Sequence, residues 1–438
     1  MVSTSPIRQH MPLSLKVHYP AEFLASMMTS DCLKTEKLIA YISEADRLGV
    51  KVIPPDVNKG KYAFGVDEQG DIIYGFAAIK GIGEPLVNRL AEERSKHGPY
   101  RDLFDFVSRV GKDFITKGML EALIKAGALD SIGPGRGIMM ASIPTAMQYA
   151  IQKENDQASG QFDLFSASTE SASPHYAEVR DWSEKTRLFY EKNLLGLYLS
   201  GHPINAYRSE LVHYCGGLTF KNMQPGTPAH PRPVVFAGVV TSIVSKLSKK
   251  GDGSKFYVIT LDDSTSTFEI ALFSRFAKRF EDIVAEREKH NKAKRGRGIK
   301  QEAEGQNAPL ILVVSALLSE GEDGLIKSRV QDLSSLEALR IRNAKSLTLC
   351  FSEKIFIDNA EKIENMLASN RISRDELAAR KRNAENPQDI GEGCSLKLTI
   401  GNKKMDLIGN YVFIPSDELI DGIREMSGQD SVKVGYSS

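Results

Sequence analysis

The stretch AAIKGIGEPLVNRLAEER, Ala77–Arg94, decides how the chain is read. Two glycines, Gly81 and Gly83, flank Ile82, and Leu86, Val87, Leu90 and Ala91 then recur at helical spacing. Glycine reaches positive φ without steric cost, so Gly-Ile-Gly forms a tight hairpin with its amides exposed. A helix starting at Glu84 or Pro85 aims free N–H groups back at that hairpin. Such a nest holds phosphate without reading base sequence, and Lys80 adds a positive charge beside it. The plainer alternative is a glycine-rich turn ahead of an ordinary amphipathic helix.

The pattern is similar to a helix-hairpin-helix, a module that grips the DNA backbone, with Lys80, Gly81, Ile82 and Gly83 as the DNA-binding residues. The rest of the composition bears on this reading. At 438 residues the chain exceeds a single core, so several domains are expected. Lys and Arg total 57 against 56 Asp and Glu, which excludes a protein coated in positive charge but not one with local basic patches. The cysteines, Cys32, Cys215, Cys350 and Cys394, form no Cys-x-x-Cys, which argues against a zinc site and a disulfide framework. No apolar run approaches the roughly 18 residues of a membrane span, and the start lacks a signal-peptide core, so a cytoplasmic protein without membrane contact is expected.

Helices are predicted on either side of the hairpin. Pro20 opens one whose apolar face is Phe23, Leu24, Met27 and Met28, and Thr35–Leu48 makes a second, stopped by Gly49. Val52-Ile53 and Ile72–Tyr74 are short strands. After the hairpin helix, GPYRDLFDFVSRV is a loop and a short helix, and TKGMLEALIKAGALDSIG adds another that ends at Gly127. Residues 134–180 lose helical periodicity and become rich in Ser, Ala, Gly and Gln, as a flexible linker does. Trp182–Leu199 is a helix ending in a Ser200–Pro203 turn, where His202 has no nucleophile or metal partner at useful spacing and reads as structural.

Five β-rich runs follow between residues 231 and 336, with a helix near Arg275–Ala285, which fits an OB-fold. Phe268, Ile270 and Leu272 alternate with Glu269 and Ala271 as in a half-buried strand. OB-folds bind single strands through basic grooves and stacked aromatics, so Lys249, Lys250, Phe256 and Tyr257 are further candidate DNA contacts; the plainer alternative is solvated loop charge. Residues 286–309 interrupt this region with Lys289, Lys292, Lys294, Arg295, Arg297 and Lys300, and disorder is expected there. After Ile341 the text turns to an α/β unit, with helices at Glu361–Ala368 and Asp417–Met426 and a loop at Lys381–Gly393. The expected fold class is therefore multidomain α+β.

Five segments make a resemblance specific. HYPAEF, PPDVN, IKGIG, LIKAGALD and LGLYLSGHP stand in this order between His18 and Pro203. Together they resemble the C-terminal part of the bacterial replicative DNA polymerase III alpha subunit, a C-family DNA polymerase. The likeness runs well from Leu15 to about Leu333 and more weakly beyond. It implies the end of a fingers region over 1–75, a hairpin region over 76–133, the linker, a helical connector over 181–230, the OB-fold, and a C-terminal domain over 337–438. It also implies that Gln161-Phe162-Asp163-Leu164-Phe165 docks on a sliding clamp, Gln161 at the pocket rim and Leu164 and Phe165 as anchors; Phe162 departs from the commoner aliphatic residue. The alternative is that Leu164 and Phe165 fold back on this chain. The C-terminal domain would contact a clamp-loader subunit. Residues 1–14 depart from the family pattern, as though a truncated or split gene had acquired a new start.

Nucleotidyl transfer needs carboxylates holding two metal ions, supplied in this family by an Asp-x-Asp palm. The sequence holds no Asp-x-Asp, and Asp262-Asp263 in a strand point to opposite faces. No catalytic or metal-ligating residue is therefore assigned. Mg2+ is implied only for the complete polymerase, which would need a separate palm-bearing chain as partner beside duplex and single-stranded DNA, clamp and clamp loader. The alternative function is a non-catalytic DNA- and clamp-binding adaptor, or a truncated gene product.

Overall fold

The computed structural model describes residues 15–158, 174–247, 255–295, 309–321, 325–383, 390–407 and 409–436, without the side chains of 156–158, 289–295 and 429. It divides into two units, Met1–His202 and Pro203–Ser438. It is a mixed α+β structure.

In the first unit, helices α1 (Pro20–Ser30) and α2 (Thr35–Arg47) precede a small sheet of β1 (Val52–Ile53), β3 (Ile72–Ile73) and β2 (Gly65–Val66), in that spatial order. A 3-10 turn at Phe76–Ala78 leads through Gly81-Ile82-Gly83 into α3 (Glu84–His97), followed by α4 (Leu103–Val110) and α5 (Lys117–Ala126). Local chemistry sets these ends. Asp102 and Thr116 accept hydrogen bonds from Asp105 N–H and Met119 N–H at the starts of α4 and α5. Gly127, in the left-handed region at φ +82°, ends α5. One apolar core runs from Ala21 to Leu197 and includes Leu24, Phe76, Ile82, Leu90, Phe106 and Leu123.

The predicted linker is in part a helix. Arg136–Ala158 form α6, with Met139, Ile143, Ala146 and Ala150 buried along one stripe. The stripe shrinks from Met139 and Ile143 to alanines in its second half, and Pro144 lies inside the helix, so hydrophobic periodicity was weak in the sequence. Chain beyond it returns along α6: Ala177 N–H donates to Ser142 Oγ at 2.9 Å, and Gly137 N–H to Asp181 Oδ1 at 2.6 Å. Helix α7 (Glu184–Leu195) follows, capped by Ser183. Its buried Glu191 accepts from Leu199 N–H and Ser200 N–H, and Arg136 Nη2 lies 3.7 Å from it. His202 is buried with its ring 5.2 Å from that of Tyr198, a structural placement.

In the second unit, α8 (Arg208–Cys215) precedes an antiparallel sheet of β4 (Arg232–Leu247), β5 (Lys255–Asp262), β6 (Thr267–Leu272), β7 (Ile311–Glu320) and β8 (Ile326–Ser335), ordered β6-β5-β4-β7-β8. The end strands β6 and β8 come near one another, but no ladder closes the sheet into a barrel among the described residues. All five strands and Phe280 of α9 (Ser274–Arg295) share a core. Helix α9 is longer than predicted and takes in the first ten residues of the 286–309 segment (286 to 295); Arg297 and Lys300 lie outside the described residues.

The last part holds α10 (Leu336–Asn343), β9 (Ala344–Phe351), α11 (Glu353–Asp358), α12 (Ala360–Asn370), β10 (Arg371–Ser373), α13 (Arg374–Asn383), β11 (Ser395–Ile400), β12 (Lys403–Leu407), β13 (Tyr411–Phe413), α14 (Asp417–Ser427) and β14 (Val432–Tyr436). Helix α13 occupies the beginning of the predicted Lys381–Gly393 loop. The mixed sheet β12-β11-β9-β14 pairs β11 and β9 in parallel.

Arg340 of α10, fully buried, ties this part together. Its guanidinium donates to both carboxylate oxygens of Glu210, at 2.8 and 3.0 Å, and to Asp417 Oδ1 at 2.7 Å. Tyr436 Oη donates to Glu210 Oε1 at 2.7 Å. Removing one partner of such a buried pair strands the other charge without water. Arg340→Met is therefore expected to destabilise this unit by about 3–5 kcal/mol. Hydrogen exchange of the β9 amides under increasing urea measures it; a loss below about 1 kcal/mol would contradict the hub.

Candidate nucleic-acid interface

The hairpin is set by one side chain turned inward. Ile82 is only 7% exposed and packs into the first core. Its N–H donates to Ile79 O at 3.2 Å, which closes the turn. With Ile82 pointing in, Gly81 and Gly83 carry the main chain on the outside. Gly81 takes φ +87°, which an L side chain rarely adopts. Gly83 does not need this freedom: its φ of −97° and ψ of 158° are extended, and a Cβ there would meet only Pro85 Cδ at 3.5 Å.

Helix α3 begins directly after Gly83 and has no side-chain cap. Among the described residues, the N–H groups of Gly83, Glu84 and Leu86 have no backbone or side-chain acceptor. Pro85 has no N–H to satisfy. The helix end thus presents unsatisfied donors and the positive end of its dipole at an exposed turn. Lys80 is exposed, and its Nζ leans to Asn193 O at 3.4 Å rather than across the glycines. Of the four predicted residues, Lys80, Gly81 and Gly83 are accessible, whereas the Ile82 side chain is not; only its main chain could face a ligand.

In the second unit, Lys249 and Lys250 lie outside the described residues, as do Gln161–Phe165 in the first. Phe256 stacks on Phe273 with ring centroids 4.9 Å apart and planes 23° apart. Phe273 is 55% exposed and was not among the predicted contacts. Alternation carried one residue past buried Ile270 and Leu272 would have turned it outward. Lys246 stands opposite Phe256 in the ladder. Tyr257 is engaged differently: its Oη donates to Glu281 Oε1 at 2.6 Å, and this hydrogen bond to a carboxylate raises the phenol's pKa. Its ring also packs on Phe280, so it faces α9 rather than lying free for stacking.

The adjacent acids Asp262 and Asp263 are both engaged in a turn. Asp263 is buried and accepts from Thr265 N–H, Ser266 N–H and Phe220 N–H, so its oxygens are spent on a turn. Asp262 Oδ1 accepts from Ser264 N–H. Among the described residues no group of three His, Cys, Asp or Glu side chains could hold a metal ion. The residues present do not fit the metal pair of a polymerase. No helix among the described residues is long and apolar enough to cross a membrane.

A helix-hairpin-helix motif family matches residues 49–139, which include the Gly81–Gly83 turn. The DNA polymerase III subunit alpha of Vibrio cholerae serotype O1 is 32% identical over 431 residues, 97% of this chain and 34% of that protein. The Escherichia coli K12 subunit of the same name is 30% identical over 429 residues, 97% and 33% of the two chains. That of Pasteurella multocida is 36% identical over 346 residues, 78% and 28%. The chain thus spans about a third of the length of the curated relatives it matches. Aligned over nearly all of its own length and carrying the hairpin within the matched motif, the chain belongs to the DNA polymerase III alpha-subunit family, of which it represents a C-terminal portion.

Proposed function

We propose that this chain is the DNA-handling portion of a bacterial replicative DNA polymerase, gripping duplex through the phosphates nearest the Gly81–Gly83 hairpin. The observation that carries this reading is the uncapped first turn of α3 behind an exposed glycine turn. Backbone donors at a helix N-terminus bind phosphate whatever the base sequence, which suits an enzyme that copies any template.

The five-stranded sheet serves as an OB-type module for single-stranded template. Its strand order, the near approach of β6 and β8, and a helix between the third and fourth strands support this assignment. The Phe256–Phe273 pair offers a half-exposed stacking surface, with Lys246 opposite, and Lys249 and Lys250 stand between β4 and β5 in the sequence. Gln161–Phe165 docks on the sliding clamp, and residues 337–438 contact a clamp-loader subunit. Nucleotidyl transfer, with its Mg2+, belongs to a palm-bearing chain.

Three outcomes follow. Gly83→Val, which the extended backbone accepts, places methyl groups over the free amides; duplex affinity measured by fluorescence anisotropy should fall for all sequences alike, with the circular dichroism spectrum unchanged. Wild-type affinity in the folded variant would remove the hairpin from the interface. Leu164→Ala combined with Phe165→Ala should abolish association with a sliding clamp, since anchors of this kind cost about 2 kcal/mol or more each when truncated. A lowered melting temperature with clamp affinity intact would instead place both residues in this chain's own fold. Finally, the purified chain with Mg2+ and dNTPs should not extend a primer, and template-dependent extension would overturn the assignment of catalysis to another chain.

A further inference from the structure

The segment PPDVN carries part of the family resemblance but has no assigned role. In the structure the turn it opens, Asp56–Gly60, is fastened to both limbs of the hairpin. The first limb is held by the residues that follow it: Phe76 N–H donates to Lys61 O at 3.1 Å and Ala77 N–H to Tyr62 O at 2.9 Å. Gly60 lies against the Phe76 ring so closely that a Cβ would come within 2.5 Å of it.

The second limb is held by side chains. Arg94, in the last turn of α3, donates from Nη1 to Val57 O at 2.8 Å, and from Nη1 and Nη2 to Gly60 O at 3.2 Å. Asn58 makes a reciprocal pair with the connector after α3: its Nδ2 donates to Tyr100 O at 3.0 Å, and Tyr100 N–H donates to its Oδ1 at 2.7 Å. Tyr100 Oη reaches back to Leu90 O in the middle of α3 at 3.0 Å. The turn itself is pinned from within, since Asp56 Oδ1 accepts from Asn58 N–H at 2.6 Å. Val57 N–H donates to Ala128 O beyond α5 at 2.9 Å.

We infer that the Asp56–Gly60 turn sets the aim of the hairpin amides, with Asn58 and Arg94 as positioning residues for duplex binding. Both limbs are referred to one short piece of chain, so their relative placement is fixed there. Arg94 lies eleven residues along the chain from Gly83, roughly 16 Å at helical rise. A tilt of about 5° about that point moves the first-turn N–H groups by about 1.4 Å. Hydrogen bonds to phosphate do not survive a shift of that size. Neither side chain touches the exposed glycine turn, so any effect on affinity passes through the pose of α3.

This inference rests on the hairpin being the duplex grip, and the test separates the two. Anisotropy titrations with one duplex compare wild type, Asn58→Ala, Arg94→Lys, Gly83→Val and the Asn58→Ala/Gly83→Val double variant, well below the melting temperature. Arg94→Lys keeps the charge but loses the guanidinium fork. Both positioning variants should bind about tenfold more weakly, and Asn58→Ala should cost less than about twofold once Gly83 is already Val, because the two act through the same amides. A purely structural role would lower stability and leave affinity and coupling untouched. Wild-type affinity in the folded positioning variants, or an undiminished loss in the Gly83→Val background, overturns the inference. Failure of both positioning variants to fold would make the turn a folding element and overturn it equally. If Gly83→Val itself binds as wild type, the grip is wrong; if Gly83→Val loses binding while both positioning variants keep it, only the positioning role is wrong.

Discussion

Burial of Ile82 is the constraint from which the candidate interface follows. A single apolar side chain is committed to the core while its neighbours on both sides are left outside. The main chain must reverse around it, and only a glycine adopts the required positive φ at Gly81. The reversal leaves α3 starting at the surface without a capping side chain. The same hydrophobic term that stabilises the fold thereby leaves backbone donors exposed, and the dipole of α3 gives those donors their sign.

The second unit uses a different device. Arg340 is surrounded by Glu210, Asp417 and, through Glu210, Tyr436, so elements far apart in sequence share one buried charge. Buried ion pairs contribute little net stability over a well-packed apolar replacement, yet they are costly to break. They are therefore suited to fixing which elements meet. Here that role falls to the start of α14 and the last strand, whose Tyr436 also stacks on His213 of α8 at 4.3 Å.

Much of this was legible in the sequence because the signals were local. Gly-Ile-Gly, the apolar spacing of Leu86, Val87 and Leu90, the helix stop at Gly127 and the alternation of Phe268, Ile270 and Leu272 each depend on a few neighbouring residues. What was not legible depended on distance. The buried face of α6 gives way from Met139 and Ile143 to alanines and the helix contains Pro144, so its burial emerges only once α4 and α5 supply the opposing surface. The inward turn of Ile82 requires the core, and the engagement of Tyr257 by Glu281 requires α9 to lie across β5. Asn58 stood out only as part of PPDVN and Arg94 not at all; their partners are main-chain carbonyls and an amide that no composition rule identifies.

The central claim is that phosphate meets the main chain at the start of α3. Backbone amide spectra of isotope-labelled protein, titrated with two duplexes of unrelated sequence, address it directly. The account predicts that the amide resonances of Gly83, Glu84 and Leu86 move on addition of either duplex, in the same direction and to a similar extent. Resonances that stay in place at these positions while others in the chain shift would contradict it.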